Sequence, residues 1–332
     1  MRFLITGGAG FIGSNFIRYL IKKNPNDDIV NLDKLTYAGN LDNLKDIENN
    51  KNYRFVRGDI CNKNIVEKLM KNTGVVVHFA AETHVDRSIM EAGDFVKTDV
   101  FGTFVLLNAA KKYHIKKFVH ISTDEVYGSI EKGSFNEESP LKPTNPYSAS
   151  KAGADRLAYS YFKNFKLPVI IVRSSNNFGP YQHPEKLIPL FTTNAIENKK
   201  LPLYGDGLNK RDWLYVLDNC KAIYFLMNKG VIGEVYNVGA NNERTNIKIT
   251  KTVLSQLKRP YSLIEFVKDR LAHDRRYFLN FDKIKKLGWK PKHKFEKALS
   301  ETIRWYVNNE WWWKKIKQGK FQEYYKNQYE NR

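Results

Sequence analysis

The stretch that decides the fold reads TGGAGFIG, residues 6–13, and it follows directly on the apolar run Phe3–Thr6. Gly7, Gly10 and Gly13 give a G-x-x-G-x-x-G spacing, in which a Cβ would block the tight turn and the approach of a pyrophosphate to the backbone. The helix that begins here offers free N–H groups and a partial positive charge to phosphates. The stretch therefore predicts a strand, a turn and a helix that bind a dinucleotide.

An acidic residue supports this prediction from the end of the second apolar run. Asp33 lies 20 residues after Gly13, where dinucleotide folds place the carboxylate that binds a ribose hydroxyl. Because a carboxylate repels a 2′-phosphate, Asp33 favours NAD over NADP.

Apolar runs and helical patterns alternate outward from this loop. This alternation predicts an α/β fold with a doubly wound parallel sheet, and a smaller, mainly C-terminal domain for the substrate. The predicted strands are Phe3–Thr6, Ile29–Leu32, Tyr53–Val56, Val75–Phe79, Phe118–Ser122 and Val169–Arg173. We expect the cofactor domain at 1–173 plus about 212–238, and the substrate domain at about 174–211 and 239–332.

Composition excludes several other classes of protein. The 332 residues are 42% hydrophobic, with two cysteines and no run of membrane-spanning length, so we expect a soluble cytoplasmic protein with no membrane, disulfide or metal site. The net charge is +20, but the basic residues are scattered, so we expect no nucleic-acid partner. His78 and His120 are expected to be satisfied core histidines, and the last helix is expected to end near the packed cluster 311–313.

Two further motifs carry chemistry. Tyr147 and Lys151 are four residues apart, which places both side chains on one face of a helix. Using a phenol as a base near pH 7 means offsetting about three pKa units, or ~4 kcal/mol, and a nearby Lys⁺ with the positive nicotinamide ring favours the phenolate.

The second motif is the run Thr123–Glu125 at the end of the fifth predicted strand. Asp124 and Glu125 offer an acid and a base, and Thr123 can hydrogen-bond a sugar hydroxyl beside Tyr147. Neighbours on a regular strand point to opposite faces. Both carboxylates therefore face one substrate only if the chain leaves strand geometry here, which Gly128 favours.

These motifs resemble the extended short-chain dehydrogenase/reductase family, and more narrowly the dTDP-glucose 4,6-dehydratases. The resemblance rests on the glycine loop, Tyr147 with Lys151, and the segments 33–39, 80–88, 123–125, 176–177, 211–213, 269–274 and 310–313. It implies that Tyr147 takes the C4 hydroxyl proton, Glu125 the C5 proton, and that Asp124 protonates the departing C6 hydroxyl.

The resemblance also implies a set of binding residues. Those for NAD are Gly7, Gly10, Phe11, Ile12, Gly13, Asp33, Lys34, Leu35, Thr36, Asp59, Ile60, Ala80, Ala81, Thr83, Thr98, Tyr147, Lys151 and Asn177. Those for the nucleotide diphosphate sugar are His84, Thr123, Asn176, Lys186, Leu187, Pro202, Tyr204, Arg211, Asn246, Arg270 and His273. A homodimer is implied, with helices around 94–113 and 147–164 paired across a two-fold axis.

Three alternatives stay open at this point. A UDP-glucose 4,6-dehydratase would share all of this chemistry. A nucleotide-sugar 4-epimerase would use Tyr147, Lys151 and NAD but has no need of Asp124 and Glu125. A dinucleotide-sensing or RNA-binding protein on the same fold would be free to lose Tyr147 or Lys151.

Overall fold

The glycine loop directly follows an inner strand of a seven-stranded parallel sheet in the computed structural model, which describes residues 1–269 and 273–330. The strand order is β10-β6-β5-β4-β1-β2-β3. The order reverses beside β1, because β2 pairs with one edge of β1 and β4 with the other. Such a switch point leaves a crevice beyond the carboxyl ends of the strands, where ligands bind. The predicted doubly wound fold is confirmed.

The strands have the following bounds: β1 Arg2–Thr6, β2 Asp28–Asp33, β3 Tyr53–Arg57, β4 Val75–His78, β5 Lys117–Thr123, β6 Val169–Ser174, β7 Asn176–Phe178, β8 Leu201–Tyr204, β9 Lys210–Tyr215, β10 Val235–Val238, β11 Glu243–Thr245 and β12 Ile264–Val267. The six predicted strands are all present, within two residues at each end.

The α-helices are α1 Phe11–Lys23, α2 Lys63–Met70, α3 Val85–Met90, α4 Gly93–Phe95, α5 Thr103–Lys112, α6 Pro146–Phe165, α7 Leu187–Ile196, α8 Val216–Lys229, α9 Asn246–Gln256, α10 Asp282–Lys286, α11 Phe295–Asn308, α12 Glu310–Ile316 and α13 Lys320–Tyr325. A π-helical segment, Val96–Gly102, joins α4 to α5.

Apolar residues cover both faces of the large sheet, which explains why its strands read as nearly continuous apolar runs. Helices α1 and α8 pack on one face, and α2, α5 and α6 pack on the other. Two small sheets, β11-β9-β7 and β12-β8, lie outside it. Strand β10 joins the large sheet although it follows β7–β9 in the chain, and the division into two domains at the stated residues remains a prediction.

The C-terminal part differs from its prediction. The chain does not end its last helix near residues 311–313, because α13 and a further π-helical turn follow. Trp312 and Trp313 are buried, as predicted, and the Trp312 indole donates a hydrogen bond to Asn43 over 2.8 Å. Trp311 is exposed. The last of these extra turns lies against a cavity that Tyr204 and Arg211 also line.

Candidate active site

The glycine loop is held by close backbone packing. Gly7 has φ +71, and a Cβ there would lie 2.5 Å from the Ala80 backbone nitrogen. A Cβ at Gly13 would collide with the Gly7 carbonyl, whereas one at Gly10 would meet only that carbonyl, at 3.3 Å, and would otherwise extend into the cleft. The loop thus leaves open the space that a pyrophosphate needs in front of α1.

Asp33 is fixed at the end of β2 by two backbone donors. Its Oδ2 accepts the Ala9 N–H at 2.9 Å, and its Oδ1 accepts the Leu35 N–H at 2.8 Å. Burial raises the pKa of Asp33, and these two hydrogen bonds lower it. The carboxylate is therefore an oriented acceptor at the mouth of the cleft.

A cleft of about 1240 Å³ runs from this loop to Tyr147 and Lys151. Sixteen of the predicted NAD residues line it: Gly7, Gly10, Phe11, Ile12, Gly13, Asp33, Lys34, Thr36, Asp59, Ile60, Ala80, Ala81, Thr83, Thr98, Tyr147 and Lys151. Leu35 is not among the lining residues; it turns the chain with φ +58. Asn177 lines the second cavity instead. The fit of the cleft to a dinucleotide rests on the glycine backbone and the Asp33 carboxylate.

Several lining residues were missed by the sequence reasoning. They include Gly39, Gly58, Glu82, Gln182, His183 and Glu185. Glu82 lies between two predicted cofactor residues, so its position in the sequence could have indicated that it lines the cleft. Gln182, His183 and Glu185 belong to an irregular segment whose approach to the cleft has no local sequence signal.

Tyr147 and Lys151 lie in the first turns of α6. Asn145 caps this helix in a reciprocal arrangement with Ser148, and Pro146 occupies the first turn, a strong start signal. The Lys151 Nζ donates to the Ile121 carbonyl over 2.8 Å, and both residues line the cofactor cleft.

The protein groups around Tyr147 oppose its ionisation. Burial, followed by the carboxylates of Glu125 and Asp99, raises the pKa of Tyr147 well above its usual value, while a hydrogen bond with Thr123 lowers it. The protein groups alone therefore keep the phenol protonated. Burial is the reason, because a phenolate loses more hydration energy in this site than the surrounding groups return.

The backbone departs from strand geometry at Asp124 and Glu125, which is the condition for both carboxylates to face one cavity. Residues Asp124–Tyr127 form a 3₁₀ turn directly after β5, and Gly128 ends it with φ +80. Both carboxylates consequently line one cavity together with Tyr147. Burial and the neighbouring Glu125 raise the pKa of Asp124 well above its usual value, which favours the protonated carboxyl.

The second cavity, of about 1460 Å³, adjoins the cleft and shares Tyr147 with it. Ten of the eleven predicted substrate residues line it: His84, Thr123, Asn176, Lys186, Leu187, Pro202, Tyr204, Arg211, Asn246 and His273. Arg270 lies outside the described residues. The Arg211 guanidinium lies 4.4 Å from the centre of the Tyr277 ring, and its Nη2 donates to the Asp274 carbonyl over 2.9 Å.

The far wall of this cavity includes the C-terminal segment, which the sequence reasoning did not place there. Tyr329 lines the cavity, with its ring centre 5.7 Å from that of Tyr204. The Gln328 side chain donates a hydrogen bond to the Tyr204 hydroxyl. Trp213 and Tyr277 were also missed; Trp213 belongs to a segment already singled out, which was a signal.

The two core histidines have different outcomes. His78 is satisfied, since its ring nitrogens lie 2.7 Å from the Thr6 hydroxyl and 2.9 Å from the Thr103 hydroxyl. The prediction for His120 is wrong: it is fully buried, but neither ring nitrogen has a hydrogen-bond partner within residues 1–269 and 273–330. Burial lowers the pKa of His120 to about 3, so its ring is neutral.

The arrangement of the side chains and the length of the helices bear on metal binding and on membrane insertion. Across the described parts of the chain, no group of three His, Cys, Asp or Glu side chains is arranged to hold a metal ion. In the same residues no helix is both long and apolar enough to cross a bilayer.

A dinucleotide cleft lined by a Tyr-x-x-x-Lys pair, together with a second cavity that shares the tyrosine, defines an extended short-chain dehydrogenase/reductase acting on a nucleotide sugar. Residues 4–302 match the family model described as GDP-mannose 4,6 dehydratase, and the chain belongs to this family. The family resemblance read from the motifs is confirmed.

Individual relatives are more specific. The chain is 48% identical over 322 residues to a dTDP-glucose 4,6-dehydratase of Streptomyces niveus, covering 96% of each chain. It matches the crystal structure of DesIV, a dTDP-glucose 4,6-dehydratase from Streptomyces venezuelae with NAD bound, with a TM-score of 0.94 and 47% identity over 95% of this chain and 100% of that one. A UDP-glucose 4-epimerase from Thermotoga maritima shares the fold with a TM-score of 0.87, at 29% identity over 93% of this chain and 100% of that one.

Proposed function

We propose that the chain is an NAD-dependent hydro-lyase that converts dTDP-glucose to dTDP-4-keto-6-deoxyglucose and water. The observation that carries the proposal is the 3₁₀ turn at Asp124 and Glu125, which brings an acid and a second carboxylate into the cavity that holds Tyr147. The relatives named dTDP-glucose 4,6-dehydratase support it over most of the chain.

The reaction needs three steps because the substrate is unreactive at first. Hydroxide at C6 is a poor leaving group and the C5 proton is hardly acidic. A ketone at C4 makes the C5 proton acidic and allows elimination across C5 and C6. NAD, when bound, supplies the positive nicotinamide ring, accepts the C4 hydride and returns it to C6.

Three residues are in position to move the protons of the oxidation and of the elimination, and the proton that C5 regains in the last step comes from solvent. Tyr147 takes the C4 hydroxyl proton, with Thr123 in hydrogen-bond contact with its oxygen. Glu125 removes the C5 proton. Asp124 protonates the departing C6 hydroxyl, and its raised pKa suits this role because it favours the protonated, proton-donating form of the carboxyl.

The remaining lining residues of the second cavity hold the nucleotide diphosphate in this proposal. Lys186 and Arg211 bring positive charge for the diphosphate oxygens, and an Arg fork is well suited to phosphate. Pro202 and Tyr204 offer a flat apolar surface at the end of β8, with Asn246 and His273 on the same cavity.

We also propose a homodimer. Four apolar side chains are exposed on the helical run Gly93–Lys112 and on α6: Val96, Phe101, Phe104 and Phe165. Phe101 and Phe104 form one pair, with ring centres 5.9 Å apart. Light scattering at micromolar concentration should give twice the chain mass, and Phe101→Glu with Phe104→Glu should give the monomer. A wild-type monomer would refute the dimer.

The proposed location is the cytoplasm. Cys61 and Cys220 are both free thiols, as is usual in a reducing compartment. Fractionation of cells that express the native chain would test this directly.

Isotope tracing separates this function from an epimerase. In D₂O the product should be a 4-keto-6-deoxy sugar with deuterium at C5, because C5 loses a proton and regains one from solvent. Substrate deuterated at C4 should deliver its label to C6. A product that keeps the C6 hydroxyl, without deuterium at C5, would identify an epimerase and overturn the proposed function.

A further inference from the structure

A π-helical segment lies between the cofactor cleft and the catalytic helix. This segment, Val96–Gly102, interrupts the helical run from α4 to α5, and such widened turns occur frequently at functional sites. Thr98 lines the cofactor cleft, while the next residue, Asp99, is 1% exposed. The wide turn thus places a carboxylate inside the protein directly behind the cleft.

Two hydrogen bonds fix the Asp99 carboxylate between two parts of the active site. Its Oδ1 accepts the backbone N–H of Glu82 over 2.8 Å, in the loop after β4. Its Oδ2 accepts the Ser150 hydroxyl over 2.7 Å, on α6 and adjacent to Lys151. Asp99 therefore joins the wall of the cofactor cleft to the helix that carries Tyr147 and Lys151.

The charge of Asp99 acts on the buried ammonium of Lys151. Burial lowers the pKa of Lys151, and the attractions of Asp99 and Asp155 raise it. Asp155 is already engaged by Arg173, whose Nε and Nη2 donate to its two oxygens over 2.8 and 2.9 Å. The donors of the two Asp99 hydrogen bonds, the Glu82 N–H and the Ser150 hydroxyl, are neutral, and the attraction between Asp99 and Lys151 lowers the pKa of Asp99 against the effect of burial.

We propose that Asp99 is a positioning residue for the Tyr147–Lys151 pair, whose buried carboxylate keeps Lys151 in the ammonium form and sets the pH range in which the pair works. This inference rests on the proposed function for the roles of Tyr147 and Lys151. Among the described residues, the titratable groups that interact with Asp99 include Tyr147 and Lys151 from α6 and Glu82 from the loop after β4.

The substitution Asp99→Asn removes the negative charge of the side chain and keeps nearly the same shape. The amide oxygen still accepts the Glu82 N–H, and the amide nitrogen can donate to the Ser150 hydroxyl, which also lies 2.8 Å from the Tyr147 carbonyl and can donate there. The hydrogen-bonded link is thereby retained and the negative charge is lost.

The pH profile of kcat/KM for dTDP-glucose is the decisive measurement. Without the negative charge, Tyr147 ionises more easily and Lys151 loses its proton more easily. The acidic limb of the profile, set by Tyr147, and the basic limb, set by Lys151, should therefore both move to lower pH. The expected shift is about one unit or more for a charge at close range. Asp94→Asn, an exposed change in the same helical run, should leave both limbs in place.

The melting temperature of the holoenzyme gives a readout that needs no substrate. Burial raises the pKa of Asp99 to about 6, so the folded state binds this proton more tightly than the unfolded state. Ionisation of Asp99 therefore destabilises the fold as pH rises from about 4 to 6. The melting temperature of Asp99→Asn minus that of the wild type should rise across this interval.

The outcomes separate the two proposals. Unmoved limbs in an active Asp99→Asn enzyme overturn the role of Asp99, whatever its melting behaviour. If the wild-type enzyme does not convert dTDP-glucose, the proposed function fails, and the melting comparison then decides whether Asp99 carries a buried charge: a flat difference between variant and wild type overturns it.

Discussion

The cofactor cleft and the substrate cavity each hold an aspartate at the carboxyl end of a strand. The two aspartates differ in the hydrogen bonds that their carboxyl oxygens accept. Both oxygens of Asp33 accept backbone N–H groups. Asp124 has one oxygen 3.2 Å from the Thr123 hydroxyl, and its Oδ2 lacks a hydrogen-bond partner among the described residues. Binding a cofactor needs a fixed acceptor, whereas proton transfer needs an oxygen that is left available to the substrate.

The same contrast appears in protonation. Burial raises the pKa of both residues, but two backbone donors oppose this rise at Asp33, whereas the neighbouring Glu125 adds to it at Asp124, whose pKa lies well above the usual value. A static recognition site and a reactive site are thus built from one residue type through its local hydrogen bonds.

The largest expected effect comes from Tyr147, which lines both regions. Tyr147→Phe keeps the ring but removes the ionisable oxygen, so turnover should fall about 10²–10⁴-fold. NAD should still be bound, because the glycine loop and Asp33 are untouched; chromatography of the cofactor released on denaturation checks this. Near-normal turnover would mean that another group takes the C4 proton.

Glu125→Gln should block the elimination step in the substrate cavity, whereas hydride transfer to NAD in the cofactor cleft should continue. C4 oxidation remains possible, so the absorbance band of NADH should build up on mixing with dTDP-glucose and persist. Turnover should fall within the same range of about 10²–10⁴-fold. An absence of this band, together with slow turnover, would place Glu125 in the oxidation step instead.

Asp124→Asn should have a smaller effect than Glu125→Gln, toward the lower end of that range. Water can partly replace an acid but not a positioned base. Asn also occupies the same volume, so melting temperatures of the two variants provide the control for folding. An Asn variant with less activity than the Gln variant would reverse the assigned order of importance.

Nucleotide preference tests how closely the substrate cavity fits its ligand. dTDP-glucose and UDP-glucose assayed side by side differ by a methyl group at the base and by the ribose 2′-hydroxyl that only UDP-glucose carries. One methyl group in a close-fitting pocket is worth about 1–3 kcal/mol, or roughly 10–200-fold in kcat/KM. A preference for UDP-glucose would keep the chemistry and replace the substrate.

The smallest effect is expected at Asp33. In Asp33→Asn the amide nitrogen faces one of two backbone donors, so one hydrogen bond is lost and NAD binding should weaken about tenfold or more. The repulsion of a 2′-phosphate also disappears, so the ratio of NADP to NAD affinity should rise. Asp28→Asn, an exposed change on the same strand, is the matched control; equal ratios in both variants would contradict the role of Asp33.

The sequence by itself determined the parallel sheet, the glycine loop and the pairing of Tyr147 with Lys151. These depend on local rules: glycine spacing at a tight turn, apolar runs in doubly covered strands, and a four-residue interval on a helix. Each involves residues close in the chain, so its signal survives without knowledge of the fold.

Only the tertiary structure decided how Asp124 and Glu125 face one cavity, which residues of the segment 182–186 reach the cofactor cleft, and that Tyr329 closes the substrate cavity. It also placed Tyr147 in a buried environment beside the carboxylates of Glu125 and Asp99, and left the ring nitrogens of His120 without partners in the described residues. Burial and distant carboxylates set these properties. Desolvation and charge depend on what the whole chain packs around a group, and no local pattern of residues records them.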